Sequence, residues 1–492
     1  MHIEYDVDTA LKYKKIFVKG RLTFKEHTTA STHVQFQAQW IIVQGGELLI
    51  GSEEKAYPNK LTITLLGGPN QLGYAQDNNV AMGNKIMYVS GTLYARGVDP
   101  LVDTSGVAKP TWVRLLEKAT KGTKTLKVDT GMTWKADDEI VIGPTSYDYK
   151  QGEIHKISGY DSATGVVTLV NELAHDHYGA AAHETYEVAT GTSLVYDMRA
   201  EVGHLTKNVV IQGEEGERWG GQIVVQEFQN AAEVTFQGKA TLKNIELRRM
   251  SQYDTSRAAI RFEGTTQASS VERCSIHRSS AWALAITNGK NIEIKENVVW
   301  ETHRNAMRVE GSHMLKLKNN LFMYADKREW DTNVKRKDNQ FAVDICVGES
   351  NTKCTDLQIM DNAISGGKGI GWLVPTSDCY DETNTENVFK GNSAHSLEVG
   401  LVAHVNNGLS NNKNNQNACG LIKSVTLHHN DEIGVWMMAP FRKFQIKHAV
   451  IADNEIGVSL LPANGDLYDE EFEVTHSLII GEHAATRDCT VE

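Results

Sequence analysis

The stretches Val271-Glu-Arg-Cys-Ser-Ile276, Ile294-Lys-Glu-Asn-Val-Val299 and Leu317-Lys-Asn-Asn-Leu-Phe322 decide the fold. Each begins 23 residues after the last, so Cys274, Asn297 and Asn320 form one column and Ile276, Val299 and Phe322 another. Within a period the next apolar run follows at a fixed offset: Cys274 to Ala283 and Asn297 to Ala306 are both nine residues. Alternation inside the runs is by twos (Ile292-Glu-Ile294, Leu315-Lys-Leu317, Met307-Arg-Val309), which is a strand pattern and not a helical one. Short strands repeating at this period specify a parallel β-helix, whose turns bury an apolar face only by stacking. The repeat resumes at Asn362, Asn392, Val425 and His448, each nine residues before Gly371, Leu401, Gly434 and Gly457. Asn tolerates the bent backbone of a coil corner, and amides stacked one strand spacing apart can hydrogen-bond along the axis.

Composition narrows the function. The chain has 492 residues, 40% hydrophobic and 23% charged, the balance of a folded globular protein. A net charge of −12 without a basic tract speaks against nucleic acid as a partner. No run of about 18 apolar residues is present to span a membrane. The first residues lack a signal-peptide pattern, so the chain is expected to be cytosolic or a piece of a longer precursor. No CxxC occurs among the six cysteines, which argues against a structural zinc site. Cys274 occupies an interior column, whereas Cys346 with Cys354 and Cys379 with Cys419 lie in polar loops and are expected to form two disulfides in an oxidising compartment. No Asn-x-Ser/Thr acceptor exists, so N-glycosylation is not expected.

Upstream of the repeat, strands end regularly at glycine: Lys15–Gly20, Trp40–Gly51 and Leu61–Gly67. Further runs at 125–128, 139–142, 165–170, 209–211 and 223–225 continue the all-β pattern. The expected division is a β-domain with junction strands over 1–205 and a β-helix over 206–492, interrupted by insertions near 325–340, 376–386 and 406–418.

Several segments resemble a known family. They are Ile41-Ile-Val-Gln-Gly-Gly-Glu-Leu-Leu-Ile-Gly51 with Leu61-Thr-Ile-Thr-Leu-Leu-Gly67, Thr111-Trp-Val-Arg-Leu115, and Trp134-Lys-Ala-Asp-Asp-Glu-Ile-Val-Ile142 with Ser146-Tyr-Asp148. Together with the coil segments they are similar to the eight-glycine (G8) domain followed by right-handed, pectin-lyase-like parallel β-helix repeats. The fibrocystins share that pairing, as do, more distantly, the cell-surface and secreted hyaluronan-depolymerising proteins. One departure is Asp137, where the family usually has glycine. The resemblance implies an extracellular or cell-surface module, part of a secreted or membrane-anchored precursor. Its expected partners are a glycan, a protein, or other segments of the same larger chain or assembly.

Where the hyaluronan-depolymerising relatives carry paired histidines, this chain has Ile260-Arg261-Phe262-Glu263 and Ile276-His277-Arg278. Alternation points Arg261 and Glu263 to solvent, with Arg308 and Glu310 in comparable places further on. If the protein were a polysaccharide hydrolase or lyase, Arg261, Glu263, His277 and Arg308 would be the catalytic candidates. If it only binds, Arg261 and Arg308 join Trp330 and Arg328 of the first insertion as contacts. His175, His177 and His183 are the weak candidates for a metal, and no cofactor motif is present, with calcium left open. His428, His429 and the acidic run 466–471 read as surface residues. The reading favours non-enzymatic adhesion, ligand binding or scaffolding, with a hyaluronan- or polysaccharide-degrading enzyme as the alternative.

Overall fold

In the computed structural model the 23-residue period is one coil of three short strands. Each strand pairs in parallel with its counterpart in the next coil. The structure describes residues 1–481 except 8–10, 30–31, 76–80, 103–104, 217, 254, 326–340, 347–353, 380–386, 405–418, 438–442 and 461–470. Trp330, Arg328 and most of each insertion therefore lie outside the described residues. The fold is all-β, and its one helical element is a 3-10 turn at Tyr149–Gln151 among the described residues. No helix there is long and apolar enough to cross a membrane.

The described chain groups into two compact units. Unit one holds residues 1–111, 132–134 and 204–316; unit two holds 112–131, 135–203 and 317–492. The grouping interleaves the chain instead of cutting it near residue 205.

In unit one the β-helix begins within the G8-like segment itself. The 18-residue strand His33–Ile50 pairs with Lys60–Leu65 through its first part and with Ile86–Arg96 along the rest. Lys12–Val18 and Arg21–Phe24 lie against the same strand. The rung above Lys60–Leu65 is Val209–Gly213, then Ile245–Arg248, Ser275–Ser279 and Val298–Thr302. Glycines mark one corner of the early coils for a steric reason. A Cβ on Gly46 would lie 2.5 Å from the Gly20 carbonyl oxygen, and one on Gly91 would lie 2.4 Å from that of Gly46. Only glycine lets the backbones approach so closely.

In unit two the coils continue with rungs such as Leu321–Ala325, Ala363–Gly367, Ser393–His395, Thr426–His428 and Val450–Ala452. A six-stranded sheet built from the 112–204 region packs on that face. Beside it the two-stranded ribbon Glu184–Ala189 with Thr192–Tyr196 brings Leu194 and Tyr196, together with Met198, into one apolar cluster with Val450 and Ala452. Asp137, at the family's glycine position, has φ of 76°, in the region where glycine is favoured. Cys346–Cys354 and Cys379–Cys419 are disulfide-bonded, and Cys274 is free and buried. Cys489 lies outside the described residues.

The later corners use other chemistry. Left-handed residues mark these bends, most of them not glycine: Arg273 and Glu296 in unit one, Asn319, Asp361, Ser424 and His448 in unit two, with Gly391 in the place before Asn392. His448, expected as a column position, is the bend residue itself, and Ala449 takes the column. In unit two a buried amide ladder follows the bend. The main-chain N and the Nδ2 of Asn320 both donate to Asn362 Oδ1 at 2.9 Å, and Asn362 Nδ2 donates to Asn392 Oδ1 at 3.0 Å and Leu317 O at 2.9 Å. Asn362→Ala is expected to destabilise unit two by about 2 kcal/mol or more, because it strands several buried partners at once. Chemical denaturation followed by tryptophan fluorescence checks this; a midpoint equal to the parent's would show that the ladder is dispensable.

Candidate ligand-binding groove

Three successive strands of unit one, Ile260–Glu263, Leu284–Thr287 and Met307–Glu310, build the candidate site. Their register aligns Arg261, Ala285 and Arg308 in one row and Glu263, Thr287 and Glu310 in the next. The alternate residues Ile260, Phe262, Leu284, Ile286, Met307 and Val309 face the core and are almost wholly buried. Each contributes about 1.5–3 kcal/mol through burial, which fixes the direction of the outward rows. The middle rung carries small side chains where its neighbours carry Arg and Glu. The result is a notch of about 240 Å³ lined by Ser256, Arg261, Glu263, Trp282, Ala285, Ile286, Thr287, Arg308 and Glu310. Rungs lie about 4.8 Å apart, so the two Arg–Glu walls stand roughly 10 Å from each other.

Alternation alone makes Arg261 and Glu263 solvent-facing, but the structure places them half-buried in a wall, with the Arg261 side chain only 13% exposed. Arg261 Nη1 donates to Glu263 Oε1 at 2.7 Å and Nη2 to Gln222 Oε1 at 3.1 Å, while the buried Nε has no partner. Burial pushes the Arg261 guanidinium down; Glu263 opposes this and Arg257 adds to it. On the far wall Arg308 Nε donates to Glu310 Oε1 at 2.7 Å, and the Arg308 guanidinium lies 5.2 Å from the Trp282 ring centre. The notch thus offers two arginines, two carboxylates and one aromatic wall, with balanced charge. Planar groups able to donate and accept in pairs beside an indole suit a polyhydroxylated ligand with an apolar face. Trp282 and Ala285 were not singled out in the sequence, although Ala285 stands 23 residues before Arg308.

His277 does not join this groove. It lies on Ser275–Ser279, is fully buried, and its Nε2 pairs with Glu246 Oε1 at 3.2 Å, while Nδ1 has no partner. Lys207, whose main-chain N reaches Glu246 Oε2, covers the same cluster, and burial pulls its ammonium down to about 8. The metal candidates also separate. His177 is buried with Nδ1 2.8 Å from Gly143 O and Nε2 3.1 Å from Glu153 Oε1, which leaves neither nitrogen free; His183 is exposed and His175 half-buried. Among the described residues no three His, Cys, Asp or Glu side chains are arranged to hold a metal ion.

The expected surface positions His428 and His429 are instead buried in unit two. His428 stacks on His395 at 4.5 Å, and His395 Nε2 lies 3.0 Å from Glu201 Oε2. Burial, then the charges of His395 and His429, push His428 well below its ordinary value. Burial opposes ionisation of Glu201, yet Arg114 and His395 together bring it down to about 2. Both depressions act in the same direction. His428 withdraws stability as the pH falls below about 6.5, because the unfolded chain takes the proton first. Glu201 contributes about 3 kcal/mol above its unfolded value near 4.5, lost as the pH falls towards 2. The melting temperature of unit two should therefore fall between about pH 7 and pH 5, and His428→Phe should flatten that slope. Scanning calorimetry across this range decides it, and an unchanged slope in the variant would remove His428 from the account.

Comparison with known proteins defines the class. Residues 1–108 match the model of the G8 domain, and they run into a right-handed parallel β-helix. The chain is similar to the fibrocystins over nine-tenths of its length. It is 24% identical to mouse (Mus musculus) fibrocystin-L over 469 residues, covering 91% of this chain and 10% of that protein. It is 24% identical to fibrocystin of Canis lupus familiaris over 455 residues, covering 92% and 10%. The chain thus spans about a tenth of the length of these relatives. Human cell surface hyaluronidase CEMIP2 is 25% identical over 206 residues, covering 37% of this chain and 13% of that one. Among solved structures, the lacto-N-biosidase from Eubacterium ramulus superposes with a TM-score of 0.34 at 11% identity, covering 91% of this chain and 62% of that chain. The tailspike protein gp49 of Pseudomonas phage LKA1 gives 0.26 at 10%, covering 97% and 69%.

Proposed function

We propose that this chain is a non-enzymatic, extracellular or cell-surface module of a larger fibrocystin-like protein, and that it binds a glycan in the Arg261–Trp282–Arg308 notch. The observation that carries the reading is the charge-balanced, indole-walled gap left by Ala285 and Thr287 between two Arg–Glu rungs. A sugar ring would lay its apolar face on Trp282 and exchange hydrogen bonds with the two pairs. Two disulfides fit an oxidising compartment. Binding without turnover is favoured because each carboxylate is ion-paired with the arginine two residues before it. A general acid for glycoside cleavage needs apolar surroundings that hold its proton.

One observation favours a second reading, a polysaccharide-degrading enzyme. Glu263 and Glu310 flank the same notch two rungs apart, roughly the separation of an inverting carboxylate pair. Both readings face one experiment. The protein is incubated with hyaluronan and with neutral and acidic oligosaccharides, and retention and chain length are followed by size-exclusion chromatography. Retention of intact chains, weakened about tenfold or more by Trp282→Ala, is the expected result. Shortened chains would replace the binding reading with the enzymatic one, and neither retention nor cleavage would remove the notch from the account.

A further inference from the structure

Beside the notch sits a second arginine–tryptophan pair. The Arg257 guanidinium lies 5.9 Å from the Trp219 ring centre. Its Nη1 donates to Gln252 Oε1 at 2.9 Å, and Gln252 Nε2 in turn donates to Asn84 O at 2.7 Å. Trp219 Nε1 donates to Asn84 Oδ1, so three chain segments hold the pair in place before any ligand arrives. Gly83 makes room for it: a Cβ there would fall 2.8 Å from the guanidinium carbon.

This pair belongs to the same face as the notch. Ser256, next in the chain to Arg257, lines the notch, and the Arg257 charge is felt at Arg261. Arg261 also bonds Gln222, three residues from Trp219. The two pairs differ in charge balance. Arg261 and Arg308 each have a glutamate within hydrogen-bond distance. Arg257 has no carboxylate partner among the described residues, and burial alone pushes its guanidinium down. A half-buried cation with no carboxylate partner among the described residues, in a chain of net charge −12, is not the spill-over of a basic surface. No carboxylate among the described residues neutralises it, and the Trp219 ring holds it by a cation–π contact that leaves its N–H groups able to meet an anion.

We infer that the ligand is an oligosaccharide with a neutral unit in the notch and an anionic substituent, carboxylate or sulfate, on the adjoining unit, read by Arg257 over Trp219. This rests on the glycan-binding reading of the notch. It adds the class of glycan, a chain in which an acidic unit follows a neutral one, and a minimum length of two units.

Three tetrasaccharides test it by isothermal titration calorimetry on the intact chain: unsulfated chondroitin (carboxylate only), its carboxyl-reduced form (neutral) and keratan sulfate (sulfate only). At least one acidic probe should bind about tenfold or more tighter than the reduced form, and which one does so tells carboxylate from sulfate. The preference should shrink as salt is raised. Arg257→Gln should erase it while leaving affinity for the reduced probe unchanged, whereas Trp282→Ala should weaken all three. Because Trp219 also helps order the loop, Gly83→Ala serves as a second variant that displaces Arg257 without removing any contact group, and it should give the same loss of preference. Equal binding of acidic and neutral probes, or a preference that survives Arg257→Gln, would overturn this inference and leave the notch reading standing. No binding of any probe would overturn both.

Discussion

Everything in the coil depends on repeating a bend that most residues resist. At each turn one residue enters the left-handed region, as Arg273, Glu296, Asp361 and Ser424 do, at a cost of roughly 1–2 kcal/mol apiece. Glycine would remove the cost, and Gly391, with φ of 70°, does so before Asn392; Gly20, Gly46 and Gly91 serve a different end, the close approach of backbones in the early coils. Elsewhere the next residue offsets it. In unit two the buried amides of Asn362 and Asn392 accept main-chain donors of the preceding coil and donate to its carbonyls, so the strained corner is tied to its neighbours through several charge-neutral hydrogen bonds. No coil can satisfy its own corner. The period of the sequence follows from that dependence, and so does the need to stack.

This explains what could be read in advance. Columns fixed by local geometry were legible: the 23-residue spacing, the asparagine corners, inward Ile260 and Phe262, the buried thiol of Cys274 and the two cysteine pairs. Asp137 was legible as an oddity, and its φ of 76° lies where glycine, expected there from the family resemblance, would be favoured. What failed was exposure on the outward rows. Alternation says that a residue leaves the coil interior; it does not say what lies over it. His277, His395 and His428 each follow an inward residue by one position, yet all three are buried. In unit two the cover comes from the 112–204 region, with Glu201 of the six-stranded sheet against His395 and Tyr196 of the two-stranded ribbon against His428, nearly 200 residues or more away in sequence. No spacing within the repeat encodes such a partner.

The same reasoning accounts for the groove residues that were missed. Arg261 and Arg308 stood out because charged side chains draw attention. The cavity between them, however, is made by what Ala285 and Thr287 lack. A binding notch on a ladder of stacked strands needs one rung shortened between two long ones, and that is a statement about three coils in register, visible once the offsets of 24 and 23 residues (261 to 285, 285 to 308) are laid over one another. Trp282 then matters because it precedes the shortened rung and fills one wall.

The outward rows of unit one thus carry two kinds of chemistry on one backbone. Along the row that holds Arg261, the earlier rungs are apolar: Ile42, Tyr88 and Val224 lie in register and are covered by Trp40, Tyr74 and Met82. At Arg261 the row turns polar: the side chain is still only 13% exposed, but what holds it there is Glu263 and Gln222 and not an apolar cluster. Polar groups held in such a wall are ones that ligand recognition could use, and the strands beneath keep their geometry because their inward residues remain buried. With inward residues holding the ladder, outward positions are free to vary, and Trp219 and Arg257 stand beside the first polar rung of the row. In the glycan-binding reading proposed above, Arg257, Arg261 and Arg308 would be the groups that meet one extended ligand.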